Sequence, residues 1–190
     1  MEPFNSYVDL LSGEVFPCRQ VVVRRLSDMA RMFQDQQAAQ KLLQEGNPVI
    51  YRVFNVVVPE EYGHLQHCIS VIFPGKVGQE YFMTKGHFHA RKDTAEVYLT
   101  LRGNGILILQ NQRGETRVLE MRPGSASYIP PFWAHRSVNV GKEPLVFFAV
   151  YPAEAGHDYE IIEKQGFAVS VIEHDGKPKV VANPGYPKGG

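Results

Sequence analysis

Cysteine is scarce in this chain: Cys18 and Cys68 are the only two among 190 residues. They stand far apart and without close-spaced companions, which excludes a disulfide framework and argues against a cysteine-type zinc site. Both are expected to be buried free thiols in a reducing cytoplasm. An excess of charge is missing as well, since 20 Lys and Arg balance 20 Asp and Glu, and neither sign gathers into a long block. A nucleic acid or a membrane surface is therefore not the expected partner, and a small ligand is. Residues 1–6 lack a basic segment followed by an apolar run, and no apolar stretch is long enough to span a bilayer, so the expected location is cytoplasmic. There is no internal repeat, no low-complexity tract and no glycine-rich phosphate loop opening a helix.

What the chain does have is enough apolar material, 44% of its residues, to fill one sizeable core, and nothing forces a second. A single domain over residues 1–190 is expected, its centre at residues 49–152. Residues 21–23 read as a strand. Ser27 offers an N-cap for a short helix through Met29 and Phe33. Asp35 opens a second helix, rich in Gln, Ala and Leu, that Gly46 closes and Pro48 prevents from continuing. From residue 49 the signals are β: short apolar runs at 49–58, 67–73, 79–84, 96–101, 106–110, 116–120, 127–129, 136–140 and 145–151, separated by Gly, Pro and Asn turns. Such spacing describes a sandwich or small barrel. Within residues 96–101, Glu96, Tyr98 and Thr100 fall on one side and Val97, Leu99 and Leu101 on the other; the first side is expected to be chemical and the second core. After Pro152 a helical turn at 160–165, a strand at 167–173, a turn at 175–176 and a polar tail are expected.

The chemistry is concentrated in residues 86–96, Gly-His-Phe-His-Ala-Arg-Lys-Asp-Thr-Ala-Glu. His87 and His89 are two apart, so an extended backbone projects both imidazoles from one face. Glu96 follows a short polar break that can turn the chain back, and His135, at the start of a later strand, would complete the set from a neighbouring strand. Three imidazoles and a carboxylate suit one divalent transition metal, Fe, Mn, Ni or Zn, in preference to Ca or Mg. Taken alone, His135 would be an ordinary strand residue; it is the coincidence of the four that points to a metal. His64, His67 and His174 lack companions and read as surface or strand residues. Arg24 and Arg25 read as a solvated face, and Lys85 has no assigned direction.

The same residues carry a resemblance. His-x-His, Glu96 and Gly103, followed by Gly124, Pro130, His135 and Asn139, fall at the intervals of the two cupin motifs. Longer stretches are closer still: Val-Arg-Arg-Leu-Ser-Asp-Met at 23–29, Phe-Pro-Gly-Lys-Val-Gly at 73–78, Thr-Lys-Gly-His-Phe-His-Ala at 84–90, Ala-Glu-Val-Tyr at 95–98 and Tyr-Pro-Ala-Glu-Ala-Gly-His-Asp-Tyr at 151–159. Together they resemble the family of archaeal cupin-type glucose-6-phosphate isomerases over nearly the whole chain. The resemblance implies an all-β, jelly-roll-like double-stranded barrel with a short helical N-terminal segment and a C-terminal extension. It implies a homodimer interconverting glucose 6-phosphate and fructose 6-phosphate, the aldose-ketose step of glycolysis and gluconeogenesis. His87, His89, Glu96 and His135 match the metal ligands, with iron(II) placed first. Tyr51, Thr84, Gly86, Tyr98, Tyr151, His157 and Tyr159 fall where the family lines its sugar-phosphate pocket, and Ser70 stands where Thr is expected.

Such a metal would polarise the sugar's carbonyl, leaving either a proton transfer through a cis-enediol or a direct hydride shift. The resemblance points to Glu96 as base, although a carboxylate bound to a dication has a lowered proton affinity. His157 and Tyr151 are the other candidates. Two further functions use the same ligands: a non-haem iron dioxygenase of the acireductone type, and a sugar-phosphate-binding cupin without turnover.

Overall fold

The computed structural model describes residues 1–187, and antiparallel strands account for most of its regular structure. The larger sheet has six strands in the order Ala126–Ile129, Glu96–Arg102, Leu145–Pro152, Leu65–Ile72, Val49–Val56 and Gln20–Arg25. A three-stranded sheet orders Thr116–Met121, Gly105–Asn111 and Trp133–Asn139. The two face each other, because Glu96 on the first and His135 on the second bring their side chains to 3.0 Å. A four-stranded sheet, Lys177–Ala182, Val169–His174, Glu80–Tyr81 and Lys76–Val77, and a two-stranded ribbon, Tyr7–Val8 with Val15–Phe16, complete the set. Among the described residues no helix is long and apolar enough to cross a membrane.

The interior is shared by both facing sheets. Ile50, Ile72 and Leu145 from one and Leu107 and Val138 from the other join a single apolar cluster with Leu26, Phe33 and Ile162. A large apolar side chain buried this fully contributes roughly 1.5–3 kcal/mol. Asn139 ties the layers together without apolar contact. It is wholly buried; its Nδ2 donates to the carbonyls of Ile72 at 2.8 Å and Glu143 at 2.9 Å, and its Oδ1 accepts from the Gly141 amide at 2.9 Å.

Helix Gln36–Glu45 begins and ends as its sequence dictates. The Asp35 carboxylate accepts from the Ala38 amide at 2.9 Å, and the Gly46 N–H donates to Leu42. Other elements differ from the sequence reading. Ser27 caps no helix: two single 3-10 turns, Leu26–Asp28 and Ala30–Met32, occupy that stretch. The Asp28 carboxylate takes the Arg25 amide at 2.7 Å, and Ser27 is instead held to Asn47 by its amide and its hydroxyl. The expected strand at 79–84 is a tight hairpin of two-residue strands turning at Gly78, φ +58°. The polar tail forms the strand Lys177–Ala182, paired residue for residue with Val169–His174; backbone pairing satisfies it, so its side chains need not be apolar.

The largest correction concerns the strand Glu96–Arg102. Its two faces separate as alternation requires, but the chemical face, Glu96, Tyr98 and Thr100, is the buried one. Val97 and Leu99 are 37% and 38% exposed on the outside. The interior between the sheets holds the polar site, while the outer face of the large sheet builds a smaller cluster of its own. There Val15, Phe54, Val56, Ile69, Val71 and Val146 pack together, with Leu101 and Val8 against them.

Candidate metal centre

The segment carrying His87 and His89 is gripped from both sides. His87 and His135 exchange backbone hydrogen bonds, N–H to O at 3.3 and 3.1 Å, and Phe88 and Asp158 do the same at 3.0 and 2.8 Å. Extended backbone here turns the imidazoles of His87 and His89 to one side and Phe88, 1% exposed, into the core. The first pairing sets His135 beside His87, ring centroids 4.4 Å apart; the second delivers His157 and Tyr159 at 4.4 and 5.3 Å from the His87 ring. Gly86 starts the segment at φ +73°, against Phe167, Arg136 and the His135 carbonyl.

Glu96 enters from the opposite sheet. One potential ligand atom from each of His87, His89, Glu96 and His135 lies within 4.8 Å of all the others. His89 Nε2 is 3.3 Å and His135 Nε2 is 3.0 Å from Glu96 Oε2. Neither ring nitrogen of buried His135 has an aligned hydrogen-bond partner. A nitrogen so placed, close to a carboxylate but not aimed at it, fits a donor set converging on a common cation. The tautomer of His89 follows from its surroundings. The Thr94 hydroxyl donates to the Arg91 carbonyl at 2.6 Å, so its oxygen accepts from His89 Nδ1–H at 2.8 Å, leaving the Nε2 lone pair toward Glu96. Thr94→Val is expected to reduce metal affinity by roughly 10- to 100-fold, the usual cost of an orienting partner; unchanged affinity in a chelator competition would remove Thr94 from that role.

Burial alone would raise the Glu96 carboxyl, but the close His135 and His89 imidazoles outweigh it and hold the group at about 2. Desolvation and the neighbouring His135, His157 and His89 push the His87 imidazole well below its ordinary value. In metal-free protein the unfolded chain takes up a proton near pH 6.5 while folded His87 does not, so stability falls as pH drops through that range. Thermal unfolding of chelator-treated protein is expected to begin earlier at about pH 5.5 than at about pH 7.5; an equal or higher midpoint at the lower pH would contradict this.

The donor set opens on a cavity of about 810 Å³. Of the residues singled out in the sequence, His87, Glu96, His135, Tyr51, Ser70, Thr84, Gly86, Tyr98, Tyr151, His157 and Tyr159 all line it, whereas His89 is buried and outside the lining. Thr84 Oγ1 accepts from the Ser137 amide at 3.1 Å, which leaves its O–H free to donate. Burial raises the Tyr51 hydroxyl to about 12 and that of Tyr151 beyond the ordinary range, so both stay protonated donors. His157 is open to the cavity, and desolvation lowers its imidazole, with Glu96 opposing. Lys85 is held in a 3.0 Å pair with Glu163, its ammonium 5.9 Å from the Tyr159 ring.

Three residues escaped the sequence reading. Thr94 sits inside the polar break before Glu96 and carried no signal beyond its hydroxyl. Arg136, 4% exposed, donates from Nε and Nη2 to the Lys85 carbonyl at 3.2 and 2.7 Å and lies 4.5 Å from the Phe167 ring. It fixes the backbone that leads into Gly86, and desolvation lowers its guanidinium to about 10. Arg24, read as solvated, lines the cavity; the alternation of its strand was the signal that could have found it.

Facing antiparallel sheets with a three-histidine, one-carboxylate centre between them give a cupin-like fold around a candidate metal site. A solved structure of an oxalate oxidase, a cupin, shares the fold at a TM-score of 0.50, with 16% identity over 62% of this chain and 58% of that one. The chain belongs to the glucose-6-phosphate isomerase family, whose model matches residues 23–186. It is 49% identical to the glucose-6-phosphate isomerase of Pyrococcus horikoshii over 183 residues, 96% of each chain, and 48% identical to that of Pyrococcus furiosus over 187 residues, 98% of each.

Proposed function

We propose that the protein interconverts glucose 6-phosphate and fructose 6-phosphate at this centre, with His87, His89, Glu96 and His135 holding one divalent transition metal. The observation that carries the reading is the convergence of those four donors to within 4.8 Å at the wall of a hydroxyl-lined cavity. Bound there, iron(II), manganese, nickel or zinc would supply Lewis-acid polarisation of a carbonyl. The chain's own residues do the rest. Thr94 orients His89, and the paired backbones of His87 and His135 fix the other two imidazoles. Tyr51, Ser70, Thr84, Tyr98 and Tyr159 offer hydroxyls along the cavity, and Gly86 leaves its wall free of a side chain.

Three groups are candidates for moving the proton between C2 and C1. Glu96, held at about 2 and shared among imidazoles, is the weakest base of them. Tyr151 is kept protonated and serves better as a donor. His157 remains: its lowered value keeps it neutral at pH 7, and its ring, 4.4 Å from that of His87 and 5.9 Å from that of Tyr151, reaches the same part of the cavity. The same reading takes the protein as a cytoplasmic homodimer. Val97, Leu99 and Tyr128, exposed together on the outer face of the paired strands Glu96–Arg102 and Ala126–Ile129, support an apolar contact with a second copy, which sedimentation would test.

The test of function is conversion of fructose 6-phosphate to glucose 6-phosphate by chelator-stripped protein before and after addition of Fe, Mn, Ni or Zn. Turnover only with metal is expected. Its absence with every metal, in protein shown to bind one, would overturn the reading and direct attention to O2 uptake. In D2O, deuterium at C2 of glucose 6-phosphate formed from fructose 6-phosphate supports proton transfer, since the enediol formed by loss of a C1 proton is reprotonated at C2.

A further inference from the structure

We propose that Arg24 is the cation that recognises the phosphate end of the substrate. The proposal rests on the isomerase reading for the identity of that substrate. Strand Gln20–Arg25 has period two, and Gln20, Val22 and Arg24 line the cavity, whereas Val21 and Val23 are 49% and 40% exposed on the other side. Arg25, beside it, faces away and donates from Nη1 to the Asn47 carbonyl at 3.1 Å. Arg24 is the direct cross-strand partner of Tyr51, so the two side chains stand together on the cavity face. Its Nε is buried and has no hydrogen-bond partner. Nor does Arg24 take part in any ion pair found among the described residues.

The other polar groups at this end carry no charge. Tyr51, Thr84, Gly86 and Tyr159 can direct donors at an anion, but neutral donors do not compensate a dianion withdrawn from water. Other cations nearby are committed or sit in solvent: Lys85 is paired with Glu163, Arg136 is spent on the Lys85 carbonyl, Arg52 lies over the Phe73 ring, and Arg19, which also lines the cavity, is solvent-exposed before the strand begins. Arg24 is left as the cavity's internal positive charge. Orientation follows as well. Arg24 is close enough to Tyr159 to influence its hydroxyl, and the Tyr159 ring is 5.3 Å from that of His87. A sugar phosphate lying between Arg24 and the donors in the same cavity would present its carbonyl end to the donors and its phosphate to the guanidinium.

Metal-loaded R24M, R24Q and R24K would be compared with R25M and the unaltered protein. For R24M, the KM for fructose 6-phosphate and the inhibition constant of inorganic phosphate are both expected to rise roughly 10- to 100-fold, with kcat within about 3-fold. Inhibition by arabinitol, a polyol without phosphate, and metal content should not move, and R25M should match the unaltered protein. R24K should recover part of the loss because it keeps the charge without the fork; R24Q, which keeps the polar reach without the charge, should not, and it stands in if R24M fails to fold. Inorganic phosphate inhibiting R24M or R24Q as strongly as the unaltered protein would overturn the proposal. Direct phosphate binding, followed by 31P line broadening in zinc-loaded protein, needs no turnover. It separates a failure of Arg24, where phosphate binding is indifferent to the substitution, from a failure of the isomerase reading, where the unaltered protein binds phosphate through Arg24 but does not convert the sugar.

Discussion

His135→Ala is expected to leave the protein folded, strip it of metal and lower turnover by more than about 100-fold, since even a residue that only orients a ligand costs roughly 10- to 100-fold. The two hydrogen bonds joining residue 135 to residue 87 are made by backbone atoms and survive the substitution, so the His87 and His89 segment stays in place. What goes is the imidazole 3.0 Å from Glu96. Glu96, 4% exposed, then keeps only His89 as a partner, and burial raises its carboxyl from the low value it now has. An uncompensated buried carboxylate costs several kcal/mol by comparable cases, about 3–5 when one partner of a buried pair is removed, unless it takes up a proton. The variant should therefore be least stable at neutral pH relative to the unaltered apoprotein. Elemental analysis decides the central point: one equivalent of metal retained by His135→Ala would exclude His135 from the ligand set.

Gly86→Ala is expected to damage both stability and activity, for reasons that can be separated. At φ +73° an L side chain carries about 1–2 kcal/mol of strain. Its Cβ would also stand 2.6 Å from Phe167 Cε2, 3.0 Å from Arg136 Cβ and 3.0 Å from the His135 carbonyl oxygen. Overpacking of that kind adds about 1–3 kcal/mol. The contacts cannot relax independently, since Arg136 holds the Lys85 carbonyl and His135 is a candidate ligand. Gly124 supplies the comparison: it has φ +87° and nothing within 4 Å of a built Cβ, so Gly124→Ala should show the strain alone. Urea unfolding of both variants, with kcat measured alongside, tests the difference. Gly86→Ala as mild as Gly124→Ala in stability, and unimpaired in turnover, would mean the Gly86 backbone has room that the structure does not give it.

Much of this was legible in the residues themselves. Helix Gln36–Glu45 was bounded by Asp35 and Gly46 because capping is local chemistry: a carboxylate for an orphan amide, and a residue tolerant of positive φ at the end. The strands from Val49 to Pro152 announced themselves by alternation and by the turns between them. The four donors were found because His-x-His needs only an extended backbone to share a face, and because the second motif repeats the pattern at a distance. The family resemblance drew on the same local strings and pointed to the cavity-lining residues one by one.

The remainder depended on which face of each strand turned inward, and period two alone cannot say. For Glu96–Arg102 it separated the two faces correctly, but only the opposing sheet decides that the polar face is the inner one and that Val97 and Leu99 look outward. Arg24 and Arg25 are equivalent in composition; the pairing with Tyr51 puts one in the cavity and leaves the other outside it. Thr94 and Arg136 owe their positions to contacts with His89 and Lys85, made across turns and between strands. Ser27 lost its capping role to Asn47, twenty positions away. The sequence by itself determined the local elements, the donor types and the family, because those follow from neighbours along the chain. Tertiary structure alone decided the inner face, the orienting partners and the charge within the pocket, because each depends on residues that only folding brings together.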